Sequence, residues 1–209
     1  MDAAALAYVK SVILRGMADP SQTVRQTVGT VIVNLMVQTE DGGWPEGLET
    51  LMRAIDSQDE NEQEVSKRCQ LRLSSQCLSF RMTFQGAFNS LVKIAEDGPT
   101  KLDCEINGQR PINYLMERFL AHTEHPNARI RVYALTCIKH YLYLKNQAAM
   151  VNIDNIMQAL FRRASDASSD VRCIVCQCLS TLLTMRPDKL LPEMSNVAEY
   201  MLYSARDQD

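Results

Sequence analysis

The sequence lacks the features that mark membrane, secreted and disordered proteins. It has only 8 glycines and 7 prolines in 209 residues, too few for a collagen-like or low-complexity chain, while 46% of its residues are hydrophobic, which is enough to build a core. No apolar run approaches the roughly 18–20 residues of a membrane span. An acid at Asp2 and a lysine at Lys10 do not fit a signal peptide. We therefore expect a soluble, intracellular chain with no membrane insertion.

Positive charge is scarce outside one block. The chain has 22 basic and 25 acidic residues, a formal charge of −3. Residues 65–84 hold four of the basic residues and no acid, so the remainder has 18 basic against 25 acidic residues, or −7. Such a body suits basic protein partners and lacks the clustered Lys and Arg of a nucleic-acid groove. We expect no nucleic-acid partner.

The seven cysteines do not form a disulfide or metal pattern. An odd number in a chain without a secretion signal indicates reduced thiols. On a helix, Cys178 would lie well round from Cys173 and Cys176, and no second Cys or His pair follows at zinc-finger spacing. We expect three small residues buried in tight packing. His122 and His125 straddle a helix end, where we expect a capping role and not a ligand pair.

Catalytic motifs are also absent. Gly42-Gly43 is not followed by Lys-Ser or Lys-Thr, so it is not a phosphate-binding loop, and there is no nucleophile elbow, His–Cys pair or paired-carboxylate arrangement. We expect no enzymatic activity and no cofactor.

What the sequence does contain is helical periodicity. Apolar residues recur every three to four positions, with turn and capping residues between the periodic segments. This spacing predicts helices near residues 5–18, 21–35, 45–55, 86–95, 111–119, 127–142, 153–164, 170–185 and 194–205.

Three of these helices begin with the same pattern, a small polar turn followed by a β-branched residue and an arginine. The segments are Asp19–Arg25, His125–Arg131 and Asp166–Arg172. The last two arginines lie 41 residues apart and the first two 106, which fits two units of about 42 residues plus about 22 extra. We expect the arginines to be architectural, each reaching an acid or carbonyl of the adjoining repeat.

A period near 40 with two antiparallel helices is typical of HEAT/armadillo repeats. The prediction is an all-α HEAT-repeat α-solenoid of about four and a half repeats, whose second helices line a concave surface. We expect one array over 1–209, comprising 1–38, 44–97 with an insert at 65–84, 111–145, 153–186 and a partial repeat at 194–209.

The insert at 65–84 accounts for the extra residues. Its charge differs from the rest, and it shows no clear helical stripe. Val65-Ser66 can be encoded by a 5′ splice-site sequence, and the codons of Phe84-Gln85 can contain a 3′ splice-site sequence. We hypothesise that this stretch is a translated retained intron that keeps the reading frame. The alternative is a genuine basic loop between helices, and sequencing the spliced transcript distinguishes the two.

Several sequence segments resemble a particular family of HEAT-repeat proteins. Trp44–Leu51, then Glu64 joined across the insert to Gly86–Asp97, resembles the N-terminal part of the transportin (karyopherin-β2) family of nuclear import receptors. Arg110–Asn113, Leu190–Leu202 and Asp207–Asp209 do so as well. Linkers and helix ends match as well as apolar stripes. Because members of this family are much longer, the resemblance implies part of a receptor, and we expect Met1 to be the start of a truncated gene product.

The resemblance implies the family's function and partners. In the family, early second helices hold the GTP-bound form of Ran, later repeats hold cargo, and receptors meet nucleoporins while shuttling between cytoplasm and nucleus. Transferred to this chain, it implies a Ran-binding surface without the cargo site. The alternative function is a structural HEAT scaffold for assembly of a protein complex.

Six residues are the candidate Ran-binding residues. They are Gln26, Thr30 and Asn34 in one helix and Asn89, Lys93 and Glu96 in another. The alternative for both sets is an ordinary solvated face. The acidic run from Asp56 to Glu64 could meet a basic partner or form a solvated turn between helices.

Overall fold

The computed structural model describes the backbone of residues 3–38, 44–68, 75–105 and 108–204. Within these ranges, the side chains of 3, 4, 22, 26, 37, 38, 57–68, 75–83, 203 and 204 are outside the description. The described residues contain helices and no β-strand. The chain divides into two compact units, Met1–Pro111 and Ile112–Asp209.

The described residues of the first unit form five α-helices. They are α1 (Ala3–Arg15), continued by a 3-10 turn at Gly16–Ala18, α2 (Gln22–Gln38), α3 (Pro45–Arg68), α4 (Ser75–Asp97) and the short α5 (Thr100–Asp103). Helix α4 packs against both α2 and α3. The core contains Met17, Ile32, Leu51, Phe88 and Leu91, all at most 1% exposed. The apolar side chains of each helix therefore meet those of its neighbours, as in a helix-pair fold.

The second unit repeats the arrangement. It contains α6 (Pro111–His122), α7 (Ala128–Tyr143), α8 (Gln147–Val151), α9 (Ile153–Arg163), α10 (Ser169–Met185), α11 (Pro187–Leu190), a 3-10 turn at Leu191–Glu193 and α12 (Met194–Ser204). Helix α10 packs against α7, α9 and α12. Ile130, Ile138, Ile156, Val175 and Leu179 are buried between them.

Two predicted helices are longer than the apolar pattern indicated. Helix α3 continues to Arg68 and α4 begins at Ser75, so both enter 65–84, of which 69–74 lie outside the described residues. The stretch after Asp56 is rich in Glu, Gln and Lys, which favour helix without forming an apolar stripe. Phe84, at the end of the proposed insert, is 2% exposed and meets the Phe88 ring edge-to-face at 5.2 Å. The intron hypothesis itself stays a prediction.

The predicted apolar stripe of the first helix was only partly right. Met17 is buried, but Val9 and Val12 are 40% and 46% exposed. In the second helix Ile32 is buried, whereas Val24 is 40% exposed. Periodicity places side chains on one face of a helix but does not show how much of that face a neighbour covers.

Candidate functional site

A polar groove lies between α2 and α4. Its lining residues are Thr23, Thr27 and Thr30 from α2 and Asn89 and Lys93 from α4, around an open volume of about 450 Å³. Spacings of four and three residues put the threonines on one face of α2. The groove therefore offers hydroxyl, amide and ammonium groups on one surface.

Glycines set the closeness of the helices that form this groove. A Cβ on Gly29 of α2 would lie 2.9 Å from Nδ2 of Asn89 and 3.3 Å from Oγ of Ser90. A Cβ on Gly86 of α4 would lie 2.7 Å from the backbone oxygen of Met17. The Gly86 contact needs a residue without a side chain because a backbone carbonyl cannot rotate away, whereas the Asn89 amide at Gly29 can shift. The close approach of α4 to the turn before α2 thus depends on Gly86.

Lys93 is the groove's cation. Its Nζ lies 2.6 Å from Oε2 of Glu96, one turn along α4. The hydrogen bond to Glu96 raises the pKa of Lys93 against the smaller opposing effect of burial, and the charges of Glu96 and Asp97 raise it further. Lys93 is therefore charged at neutral pH and already pairs with an acid that a partner's carboxylate could replace.

The six predicted site residues have different positions in the structure. Thr30, Asn89 and Lys93 come together in the groove. Asn34 and Glu96 are exposed on the same helices but do not line it, and the side chain of Gln26 lies outside the described residues. As predicted, Phe88, Leu91 and Val92 face the core.

Thr23 and Thr27 were missed by the sequence reasoning. Together with Thr30 they form a stripe of hydroxyl side chains along α2. That repetition at helical spacing was the available signal.

The chain resembles transport receptors along nearly its whole length. It is 35% identical over 204 residues to importin subunit beta-2 of Schizosaccharomyces pombe, covering 98% of this chain and 20% of that protein. It is 35% identical over 202 residues to mouse transportin-1, covering 97% and 20%, and 30% identical over 201 residues to transportin of Dictyostelium discoideum, covering 96% and 19%. The chain belongs to the transportin family. It spans about a fifth of the length of the curated relatives it matches.

The HEAT repeat family matches residues 156–185. In this transportin-family chain those residues include most of α9 and all of α10. Together with the paired helices on either side, the match confirms the predicted all-α HEAT-repeat class.

The three repeated arginines hold the turns of their own helix pairs. Nη1 of Arg25 donates to the carbonyls of Asp19 and Pro20 at 2.6 and 2.9 Å. Arg131 and Arg172 do the same, since Nη1 of Arg131 donates to the carbonyls of His125 and Pro126 at 2.8 and 2.9 Å and Nη1 of Arg172 to that of Asp166 at 2.8 Å. The architectural role is as predicted, but the bonds lie within one repeat.

One of these arginines also reaches the next repeat. Nη2 of Arg131 donates to Oδ1 of Asp166 at 2.6 Å, and this carboxylate is 2% exposed. Arg163 extends the network, lying 3.5 Å from Oδ2 of Asp166 and 2.6 Å from Oε2 of Glu124. Burial disfavours ionisation of Asp166, but hydrogen bonds from Arg131 and the Ser168 N–H, with the charges of Arg131 and Arg163, outweigh it and lower its pKa.

The cysteine prediction was right for one thiol of three. Cys178 is buried, and burial raises its pKa to about 12 against a small opposing effect of Lys139. Cys176 is half-buried and Cys173 exposed, because the helix turns the two positions away from α7. Among the described residues, no three His, Cys, Asp or Glu side chains are grouped to hold a metal ion.

His125 caps a turn, as predicted. Its Nδ1 accepts the N–H of Asn127 at 2.9 Å. The acidic run was predicted from Asp56 to Glu64; Asp56 is half-buried, and the side chains of 57–64 lie outside the described residues.

A second groove of about 680 Å³ lies between α9 and α12. Met157, Phe161, Val197 and Tyr200 contribute apolar surface to it. None of the predicted site residues lies there. None of the described helices combines the length and the hydropathy required to cross a bilayer.

Proposed function

We propose that this chain acts as part of a nuclear import receptor and contributes to binding the GTP-bound form of Ran through the α2–α4 groove. The observation that carries the proposal is the meeting of Thr30, Asn89 and Lys93 in one groove, in a chain related to transportins over 96–98% of its length. The family relationship indicates a binding protein and not an enzyme.

The chemistry of the groove suits a polar protein surface. Hydroxyl and amide groups can exchange hydrogen bonds, and Lys93 can leave Glu96 for a partner's carboxylate. The Lys93 and Glu96 side chains are 41% and 33% exposed, so their pairing is easily exchanged. A charged position at the edge of an interface acts mainly on association rate and specificity.

The proposed receptor cycle couples two ligands. Cargo binds in the cytoplasm and Ran–GTP ejects it in the nucleus, which requires a coupling free energy between separate sites. Passage through the pore involves contacts with nucleoporins, and the receptor is found in both compartments. Within this proposal the present chain supplies part of the Ran surface and no cargo site.

Binding of the chain to Ran loaded with a GTP analogue or with GDP tests the proposal. We expect preference for the GTP form, and a loss of about tenfold in affinity, or 1.4 kcal/mol, on Lys93→Glu. The matched control is Arg53→Glu, because Arg53 also pairs with a glutamate on its own helix, Glu49 at 2.5 Å, but lies outside the groove. Equal binding of both nucleotide forms with and without residues 65–84, or equal losses in the two variants, would contradict the proposal.

The same assay on a variant lacking 65–84 addresses the insert. GTP-selective binding only after the deletion would support both the receptor function and the intron hypothesis. An absence of selectivity with and without the insert would favour the scaffold function instead.

A further inference from the structure

One turn of the chain uses a histidine where two related turns use an aspartate. In each, a backbone N–H donates to a side chain two residues earlier: Ser21 to Oδ1 of Asp19 (2.8 Å), Asn127 to Nδ1 of His125 (2.9 Å) and Ser168 to Oδ1 of Asp166 (3.0 Å). The three acceptors hold the same position relative to Arg25, Arg131 and Arg172. The turns therefore share one hydrogen bond made by two kinds of acceptor.

The two kinds of acceptor respond differently to protons. A carboxylate stays ionised down to about pH 4, whereas an imidazole ordinarily takes up its proton near pH 6.5. An imidazolium carries a hydrogen on both ring nitrogens and cannot accept a bond. Proton uptake by His125 and its bond to Asn127 are therefore mutually exclusive.

The surroundings of His125 reinforce this exclusion. The residue precedes the N-terminus of α7, where free N–H groups and the helix dipole disfavour a cation. Arg131 adds a positive charge by donating to the His125 carbonyl at 2.8 Å. The titratable and charged groups around the turn include His122 of α6, Glu124 of the turn itself, Arg131 of α7, Arg163 of α9 and Asp166 of the α9–α10 turn.

The acids near the turn, Glu124 and Asp166, are the neighbours that would favour a cation, and Asp166 already pairs with Arg131. Glu124 is the adjacent acid, but its Oε2 lies 2.6 Å from Arg163 and its Oε1 lies 3.8 Å from Arg162. The His122 ring centroid lies 6.0 Å from that of His125, and a second protonated imidazole at that distance would repel the first. His125 therefore accepts the Asn127 N–H beside two acids that already pair with arginines.

The turn also connects two helix pairs. Arg131 holds the His125 and Pro126 carbonyls with Nη1 and Asp166, in the next turn, with Nη2. A change in the His125 turn therefore alters the ion pair between Arg131 of α7 and Asp166, just before α10.

We propose that His125 makes the α6–α7 turn a pH-responsive joint, in which protonation of the ring releases the Asn127 N–H and loosens the link from Arg131 to Asp166. A proton on the ring would break the His125–Asn127 bond in the folded turn, whereas the unfolded chain takes up the proton freely. The stabilisation of the fold by this bond is therefore complete above about pH 7 and declines as the pH falls below about 6.5.

Equilibrium unfolding of the full chain at pH 7.5 and 5.5 tests this joint. Going to pH 5.5, we expect the unfolding constant of the wild type to rise about tenfold more than that of His125→Asp, which installs the acceptor used at Asp19 and Asp166. The reverse substitution, Asp19→His, should add a similar pH dependence. His122→Gln is the control for the neighbouring imidazole and should keep the wild-type response.

Two results would overturn the proposal. One is an equal response to pH in the wild type and His125→Asp, and the other is loss of the response in His122→Gln. If His125→Asp does not fold, hydrogen exchange at the Asn127 amide of the wild type tests the proposal instead. Its protection, corrected for the intrinsic pH dependence of exchange, must fall about tenfold between pH 7.5 and 5.5, and unchanged protection would exclude the joint.

Discussion

Helices α2 and α4 approach closely at a glycine, whereas the apolar contact of α7 with α10 is supplemented by charged and polar side chains. In the first pair, Gly29 lets the backbone of α2 approach Asn89 and Ser90. In the second, Arg131 binds Asp166, and Lys139 Nζ donates to Gln177 Oε1 at 3.0 Å. In the predicted array, both pairs are second helices of neighbouring repeats.

The difference shows where each pair directs its polar groups. The α2–α4 pair leaves hydroxyls, an amide and an ammonium facing an open groove. The α7–α10 pair uses its polar groups to bind one repeat to the next. One helix arrangement can thus present polar side chains to a partner or use them internally.

The largest effect should come from removing the internal acid. Asp166→Ala leaves Arg131, whose side chain is 11% exposed, without its carboxylate, and we expect a loss of about 3 kcal/mol in unfolding free energy. Urea unfolding followed by circular dichroism measures it. Arg53→Ala, which breaks a pair with side chains 76% and 61% exposed, should cost under about 0.5 kcal/mol.

Tryptophan fluorescence shows whether the effect is local. Trp44 is the sole tryptophan and is buried in the first unit. Asp166→Ala should move the circular dichroism transition more than the Trp44 transition. Equal movement of both would contradict a local role for this ion pair.

The next largest effect should come from the glycine contacts of the first pair. Gly86→Ala brings a methyl group against the Met17 carbonyl, which cannot rotate away, and we expect destabilisation of about 2 kcal/mol. Gly29→Ala meets the mobile Asn89 amide and gains helix propensity, so we expect a change below about 1 kcal/mol. Thermal unfolding compares them, and the opposite ranking would show that the groove is held by something other than the approach at Gly86.

A low pH should weaken the contact between α7 and α10 more than the contact between α2 and α4. Because the pKa of Asp166 is lowered in the fold, its stabilisation is complete above the ordinary aspartate value of about 3.9 and is lost as the pH falls below it. The difference in Tm between the wild type and Asp166→Asn should therefore shrink from pH 6 towards pH 3. A difference independent of pH would exclude the ion pair as its source.

The smallest change is chemical labelling without substitution. Brief iodoacetamide treatment of the folded chain should modify the exposed Cys173 well before Cys178, whose thiol is buried with a pKa raised to about 12. Peptide mass spectrometry gives the order. Early labelling of Cys178 would indicate that the α7–α10 contact opens readily.

The sequence predicted the repeated turns but not the partners of their arginines. The sequence shows directly that Asp19, His125 and Asp166 each lie six residues before an arginine. Whether Arg131 binds its own turn, the next one or both depends on side-chain reach in three dimensions, which chain spacing does not contain. The doubly bound arginine could be found only in the structure.

The candidate site was predicted in part for a similar reason. Helical spacing identified Thr30, Asn89 and Lys93 as outward-facing, but it could not separate them from Asn34 and Glu96, which are also outward-facing. Lining a groove depends on how closely the facing helix approaches, and Gly29 lies where α2 approaches Asn89 and Ser90. A glycine opposite a polar stripe is thus more informative than the stripe alone.

Each of the turns described above makes one set of hydrogen bonds within its own helix pair. An acceptor side chain binds the N–H two residues on, and an arginine six residues on closes over the acceptor's carbonyl. These bonds are kept when a unit is duplicated or deleted in a gene, whereas the bond from Arg131 to Asp166 requires the neighbouring unit. Arrays made from such parts can change length during evolution and lose only the links between neighbouring units.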